Sequence, residues 1–291
     1  MSMSGGSSHK ENSYIFDPNS TTEMARLILQ DRLINQAMEG LLPEESTEKL
    51  EKIHHVLDIG CGPAGWTLDV ARLYKHMYIT GIDISPTMIT YATEQARQHG
   101  LTNIEFKIMD ALQERLSFPD DQFDLINLRN AVGFIPRDSW RPILQECYRV
   151  TRPGGILRLT EGDTMGLTNS PAYERHHRIG TEMMMKLGYG FSPDGLTLGI
   201  TPVLGKLLRE AKYTHIQMQP HIFDFSYGTS FYSGHIQNII IVFNASQSRL
   251  MREQKISQEE LEKLYNEVLT QLGHESFRGV NYFLTAWGEK I

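Results

Sequence analysis

The hydrophobic positions of this chain change period along its length. Between residues 50 and 163, short unbroken apolar runs take turns with segments whose apolar residues recur every three to four positions. The runs predict strands at His55 to Ile59, Met77 to Ile82, Ile104 to Ile108, Phe123 to Leu128 and Ile156 to Thr160. The clearest helix among them spans Asp138 to Arg149, where Trp140, Ile143, Leu144, Cys147 and Tyr148 form one stripe. Strands that lack polar alternation are covered on both faces, and strands alternating with helices pair in parallel. The pattern is that of a doubly wound, mostly parallel α/β sheet.

The flanks read differently. Ser20-Thr21-Thr22-Glu23 is a capping box ahead of Met24, Leu27, Ile28, Ile34 and Met38 at helical spacing, and Gly40 and Pro43 close that helix. After Asp163 the strand rhythm stops. Ser170 and Pro171 open a helix with Tyr173, His176, His177, Gly180, Met183, Met184 and Leu187 along one side. A Gly/Pro-rich loop, 188 to 199, leads to a second helix from Pro202 to Ala211. Sheet pattern resumes from His215 to Phe225. Ser257-Gln258-Glu259-Glu260 caps another helix that Gly273 ends, and Gly279 to Gly288 reads as a last strand. The run Ile239 to Phe243 reads as buried helix and falls short of the roughly twenty residues of a membrane span.

Charge and composition narrow the class. A net charge of −7 argues against a nucleic-acid partner, which needs a basic face. No stretch predicts a membrane partner either. Cys61 and Cys147 offer no disulfide framework, so a reduced, cytoplasmic setting is expected. The polar start, Met1 to Ser13, lacks a hydrophobic signal region.

The chemistry concentrates after the first strand. In Val56-Leu57-Asp58-Ile59-Gly60-Cys61-Gly62-Pro63-Ala64-Gly65 an apolar run enters a glycine loop and a helix follows. Glycines there let the backbone pass close to a bound nucleotide. Their spacing also fits a dinucleotide fingerprint. Asp58 separates the two readings. Its carboxylate would repel a pyrophosphate and attract a cofactor carrying an ammonium and a sulfonium, as S-adenosylmethionine does. Asp83 and Asp110 follow the second and third strands, so three aspartates share the sheet edge where open α/β folds bind ligands. Asp83 is placed to accept two ribose hydroxyls and Asp110 an adenine amino proton.

With these residues the chain resembles class I S-adenosylmethionine-dependent methyltransferases. It is most similar to the group that includes ubiquinone/menaquinone-biosynthesis and small natural-product enzymes. The resemblance also rests on Phe118-Pro119-Asp120-Asp121-Gln122-Phe123-Asp124, on Arg149 to Gly155, and on Tyr282 to Gly288. It implies a Rossmann-like seven-stranded sheet whose last strand is antiparallel, with an N-terminal helical lid and a helical cap insertion. The expected organisation is an arm and lid helix (1–45), a cofactor core (46–163), a substrate cap (164–213) and the rest of the sheet with further helices (214–291). The implied cofactor contacts are Asp58, Gly60, Cys61, Gly62, Asp83, Ile84, Met88, Asp110, Ala111, Asn127, Leu128 and Arg129. The stretch from Asn127 to Arg129 is expected beside the reactive methyl.

Methyl transfer from a sulfonium needs alignment and exclusion of water more than it needs a catalytic dyad. Candidates for a role near the methyl are Glu161, His176 and Tyr14, with Asp163, His177 and Phe16 beside them. No His, Cys or carboxylate spacing fits a metal site, so none is expected. The expected function is methylation of a small apolar or aromatic metabolite, with a homo-oligomer left open. The alternatives are a non-catalytic cofactor-binding scaffold, a nicotinamide-dependent oxidoreductase that Asp58 disfavours, and a nucleic-acid methyltransferase. For the last, the chain lacks an Asn/Asp-Pro-Pro-aromatic motif, carrying Asn127-Leu128-Arg129-Asn130 instead.

Overall fold

Val56 and Leu57 are neighbours in sequence and belong to different cores. In the computed structural model, which describes residues 14, 16, 17 and 19–291, Val56 packs with Leu125 and Ile156 on one face of a sheet. Leu57 packs with Ile126 and Leu157 on the other. This is why the strand sequences carry no polar alternation: each face has its own helical cover.

Helix α1 (Thr21–Ala37) and a short turn of helix, α2 (Thr47–Leu50), precede the sheet. Then come β1 (His55–Ile59), α3 (Gly65–Leu73), β2 (Tyr78–Asp83), α4 (Pro86–Gln98), β3 (Ile104–Ile108), β4 (Phe123–Arg129), α5 (Trp140–Val150) and β5 (Thr151–Glu161). The second half holds β6 (Leu167–Thr168), α6 (Pro171–Lys186), α7 (Leu204–Glu210), β7 (Thr214–Asp224), α8 (Tyr232–Gln254), α9 (Gln258–Leu272) and β8 (Gly279–Glu289). The strand order is β3-β2-β1-β4-β5-β8, with β7 and the two-residue β6 both pairing β8. Strands β1 to β5 are parallel, and β8 runs antiparallel to β5. The expected sheet with a reversed last strand is therefore present, enlarged by the short β6.

The cap differs from the expected 164–213 segment. A separate hydrophobic core joins Ile34 of α1 and its C-cap Met38, Tyr173 and Met183 of α6, Ile239 and Phe243 of α8, and Leu261 and Leu264 of α9. Leu204, Leu207 and Leu208 of α7 pack instead into the sheet core with α5. The cap thus combines α1, α6, α8 and α9, while α7 is an ordinary covering helix of the sheet. The apolar run Ile239 to Phe243 lies inside α8.

Capping differs at the two helices where a box was expected. At α9, Ser257 and Glu260 exchange both hydrogen bonds. At α1, Ser20 accepts from the Glu23 N–H, but the Glu23 carboxylate is taken by Arg26 and Tyr14. The charged Arg26 holds this carboxylate more strongly than a backbone amide would, and the Ser20 N–H donates instead to the Asp17 carbonyl at 3.2 Å.

Candidate functional site

Strand β1 runs into the glycine loop, and the N–H groups of Gly60 and Cys61 both donate to the Ile82 carbonyl, at 2.8 and 3.0 Å. That ties the loop to the end of β2. Gly60 has φ +69°, and a Cβ there would meet the Phe134 ring at 2.8 Å. A glycine is required on both counts. The loop and the carboxyl ends of the neighbouring strands border a cavity.

Asp83 ends β2. One of its oxygens accepts from the Gly62 N–H at 2.9 Å, the other from the Ser85 N–H at 2.8 Å. A carboxylate has about four lone-pair sites, so capacity remains for two hydroxyl donors. Burial raises the Asp83 pKa, against the pull of these backbone bonds. Asp110 is exposed beyond β3 and holds the Leu112 N–H at 2.8 Å. Between these carboxylates Ile84, Met88, Met109 and Ala111 give the cavity an apolar side.

Asp58 sits deeper. It accepts from the Thr67 hydroxyl at 2.5 Å and from the Asn127 amide at 2.8 Å. Burial pushes its pKa up to about 6, and these donors hold it from going further. Arg129, at the end of β4, pairs with Asp31 of α1, donates to the Asn35 side chain at 2.9 Å and lies over the Trp66 ring at 5.6 Å. A Cβ on Gly65 would run into the Asp31 carboxylate. Helix α1 is thereby clamped onto the start of α3. Burial, with Asp83 and Asp58 adding to it, raises the Cys61 thiol well above its usual range, away from thiolate chemistry.

Among the described residues, four aspartates, Asp31, Asp58, Asp83 and Asp110, line this cavity against one cation, Arg129. An anionic pyrophosphate would be repelled there, and a ligand with net positive charge attracted. The donor set fits S-adenosylmethionine: a loop closed to side chains at Gly60 and Gly65, carboxylates at three strand ends, an apolar slot between two of them, and an Asp–Arg pair suited to an amino-acid end.

A second cavity of about 270 Å³ adjoins the first. Tyr14, Leu27, Gln30 and Asn130 line both. Its walls come from the cap, Leu33, Met183 and Met184 among them, from Phe223 of β7 and Phe283 of β8, and from Phe16 ahead of α1. Arg26 borders it, but its guanidinium grips both Glu23 oxygens at 2.7 Å and also reaches Gln30 and Asn238. Burial lowers His176 to about 3 and His235 to about 4, and lowers His177 as well. All three imidazoles facing the cavity are therefore neutral at pH 7.

Several expected residues sit elsewhere. Asn127 and Leu128 are fully buried and border neither cavity. Asn127 turns its amide to Asp58, and Leu128 belongs to the sheet core. Asn130 and Phe134 stand at the cavity in their place. Glu161 was expected to face the cleft. It is instead sealed in, accepting from the N–H groups of Ala131 and Val132 at 2.6 and 3.3 Å, with burial raising its pKa to about 8. Asp163 likewise accepts from the Ile200 N–H at 2.6 Å and the Thr201 N–H at 3.2 Å. His176 and His177 border the second cavity only, and Tyr14 borders both. The polar start, 1 to 13, lies outside the described residues.

Residues 27, 30 and 31 of α1, with Trp66 and Phe134, were not anticipated at the cofactor cavity. A signal existed for one of them: Asp31 and Asn35 lie one helical turn apart on a helix otherwise read only for its apolar stripe. Among the described residues no cluster of three or more His, Cys, Asp or Glu could hold a metal ion. No described helix is long and apolar enough to cross a membrane.

Residues 56–155 match the family described as a methyltransferase domain, and that segment is a class I S-adenosylmethionine-dependent methyltransferase domain. The chain is similar to the demethylmenaquinone methyltransferase of Listeria welshimeri, 32% identical over 110 residues, which are 38% of this chain and 45% of that protein. It thus spans less than half the length of the curated relatives it matches. Among solved structures, the YcgJ protein of Bacillus subtilis superposes with a TM-score of 0.51 at 17% identity, over 84% of this chain and all of that one. The [4+2]-cyclase SpnF gives a TM-score of 0.50 at 20% identity, over 94% of this chain and 97% of that one. These likenesses establish the fold.

Proposed function

We propose that this chain transfers the methyl group of S-adenosylmethionine to a small apolar or aromatic metabolite by in-line displacement. One observation carries the reading: the carboxylate-lined cavity adjoins an apolar chamber, the two sharing Tyr14, Leu27, Gln30 and Asn130 in their walls. When bound, the cofactor supplies an electrophilic methyl on a sulfonium. The chain's own residues would do the rest. Asp83 and Asp110 would hold the nucleoside, and Asp58 with the Asp31–Arg129 pair would face the amino-acid end. Helix α1 and Tyr14 would cover the boundary between the two cavities, which favours alignment of two bound reactants.

The reading needs no protein base. Gln30 and Asn130 are neutral, and burial raises the Tyr14 phenol so that it stays protonated. Glu161 and Asp163 are committed to backbone amides. An acceptor that is nucleophilic as bound suits such a site. The partner is a small molecule. The acidic balance of the chain supports this over nucleic acid.

The fold alone does not specify methyl transfer, and one fold neighbour is titled a [4+2]-cyclase. The test is incubation with methyl-labelled S-adenosylmethionine and an organic-phase extract of cellular metabolites. Label entering the organic phase is expected. Tight binding of S-adenosylhomocysteine without any label transfer would favour the scaffold reading. Binding of a reduced nicotinamide cofactor alone would revive the oxidoreductase.

A further inference from the structure

Arg26 holds two amides of the second cavity by their oxygens. Its five N–H donors are all engaged: Nε and Nη2 with the Glu23 carboxylate, Nη2 also with the Tyr14 hydroxyl, and Nη1 with both the Gln30 Oε1 at 2.7 Å and the Asn238 Oδ1 at 3.2 Å. A guanidinium has donors only, so an amide can meet it through the oxygen alone. Gln30 comes from α1 and Asn238 from α8, and the shared nitrogen sets their amide groups side by side. Each must therefore turn its NH₂ away from Arg26. Both NH₂ groups lack an acceptor among the described residues. Neither nitrogen is sealed in, unlike the partnerless Trp140 Nε1 and Tyr173 hydroxyl. Both side chains border the second cavity, and Asn238 is otherwise buried, 3% exposed.

The surroundings leave the pair as a donor site. Glu23 neutralises Arg26, and burial keeps the imidazoles of His176, His177 and His235 uncharged. Among the described residues no free charge borders the cavity, so an ionised ligand would lose its hydration there without a counter-charge. A hydroxyl can accept from these amides but brings a proton of its own, and both amide oxygens are turned to Arg26. A carbonyl oxygen has two lone pairs and no proton, so it can accept from both amides at once. Donors that face a largely apolar space are costly while unfilled.

We infer that Gln30 and Asn238 are specificity residues that grip a carbonyl oxygen of the molecule bound in the second cavity, and that Arg26 is the positioning residue that makes donors of both. Arg26 has no donor left for a ligand and acts only through the two amides. Gln30 borders the cofactor cavity as well, so the grip sets where the bound molecule lies relative to the cofactor. That this molecule is the methyl acceptor rests on the methyltransferase reading. The grip itself does not.

The experiment is calorimetric titration of the full chain, with and without saturating S-adenosylhomocysteine, using 1-tetralone, 1-tetralol, tetralin and tetralin-1-carboxylate as probes. The four share one carbon frame and differ in the oxygen group. 1-Tetralone should bind about tenfold more tightly than tetralin, the usual worth of two hydrogen bonds, and more tightly than the alcohol or the carboxylate. Asn238→Leu removes one donor and should cut the advantage over tetralin to about threefold. Gln30→Glu keeps an oxygen on Arg26 and puts an acceptor where the NH₂ stood, so it should abolish the advantage. Glu23→Gln combined with Arg26→Met removes the charge pair together and frees both amides to turn, which should shrink the advantage and leave tetralin unchanged. A merely structural role would move all four probes alike. If Gln30→Glu or the double variant fails to fold, Asn238→Leu decides alone. The inference is overturned by an undiminished preference for 1-tetralone in Asn238→Leu, by tighter binding of the alcohol or the carboxylate, or by failure of 1-tetralone to bind. Failure of S-adenosylhomocysteine to bind would sink the cofactor reading instead, and the tetralone comparison made without it would still stand.

Discussion

Arg158 donates to the Asn127 side-chain oxygen at 2.7 Å, and this contact decides which end of the Asn127 amide meets Asp58. With its oxygen engaged, Asn127 must turn its NH₂ to the Asp58 carboxylate, at 2.8 Å. The three residues are register neighbours: Asp58 pairs with Asn127 between β1 and β4, and Asn127 with Arg158 between β4 and β5. Arg158 in turn pairs with Glu44, their side chains 1% and 0% exposed. A line of buried polar groups thus runs across three strands beneath the glycine loop. It ends on the carboxylate assigned to the cofactor's amino-acid end.

Arg158→Met should therefore cost stability and affinity together. Removing one partner of a buried ion pair typically costs about 3–5 kcal/mol, because the other charge is left unpaired. Glu44→Gln combined with Arg158→Met should recover most of that loss in urea unfolding. It should not recover S-adenosylhomocysteine affinity, because Asn127 stays free to flip. A single variant that loses less than about 1 kcal/mol would mean the pair is not buried as described.

Glu161 gives a pH prediction. Its pKa is raised from 4.5 to about 8, chiefly by burial. The folded protein therefore holds a proton that the unfolded chain releases near pH 4.5. This contribution is fully present below pH 4.5 and is lost as pH rises through about 8, amounting to at most about 5 kcal/mol at 1.36 kcal/mol per pKa unit. Glu161→Gln should flatten the decline of stability across that window. Asp58, raised from 3.8 to about 6 by burial, acts with the same sign and would leave a slope below pH 6. Denaturant midpoints measured from pH 5 to 9 check this. An unchanged slope in the variant would show that Glu161 ionises freely.

Asp83 binds two backbone amides as well as facing the cavity. Asp83→Ala should weaken S-adenosylhomocysteine binding by about 1.5–3 kcal/mol, the range for hydrogen bonds to a charged group. It should also lower the melting temperature of the ligand-free protein, since the Gly62 and Ser85 amides lose their acceptor. Calorimetry and a melt on the same sample separate the two effects. Full affinity in the variant would remove the ribose from this carboxylate.

The sequence disclosed position along the chain better than direction in space. Strands β1 to β5 were legible because two-sided burial leaves unbroken apolar runs, as in Val56 to Ile59. The acidic strand ends followed from the spacing of the βαβ repeat. Asn127 and Glu161 were misread because period tells which face a residue takes, not which partner it finds. Asn127 found Arg158, and Glu161 found the amides of Ala131 and Val132, all distant in sequence. Strand β6, two residues long, leaves no pattern at all. Helix α8 was visible only as a short apolar run. Its role in the cap comes from packing against α1 and α6, which no local pattern records.

The segment before α1 yields the last prediction. Tyr14 borders both cavities, and its hydroxyl bonds Glu23. Phe16 lies under the Arg26 guanidinium at 5.6 Å. Helix α1 itself has its own cap at Ser20 and its own anchors in Ile34, Met38 and the Asp31–Arg129 pair. Removing residues 1 to 19 should therefore leave α1 and the sheet in place and open the wall at the junction of the cavities. The truncated chain should fold and still bind S-adenosylhomocysteine, but release it about tenfold faster, since loss of a closing contact acts mainly on dissociation. Stopped-flow displacement of bound ligand measures that rate, and a melt confirms the fold. Release at the full-length rate would show that the segment does not gate the cofactor. Failure to fold would make Tyr14 and Phe16 part of the cap core instead.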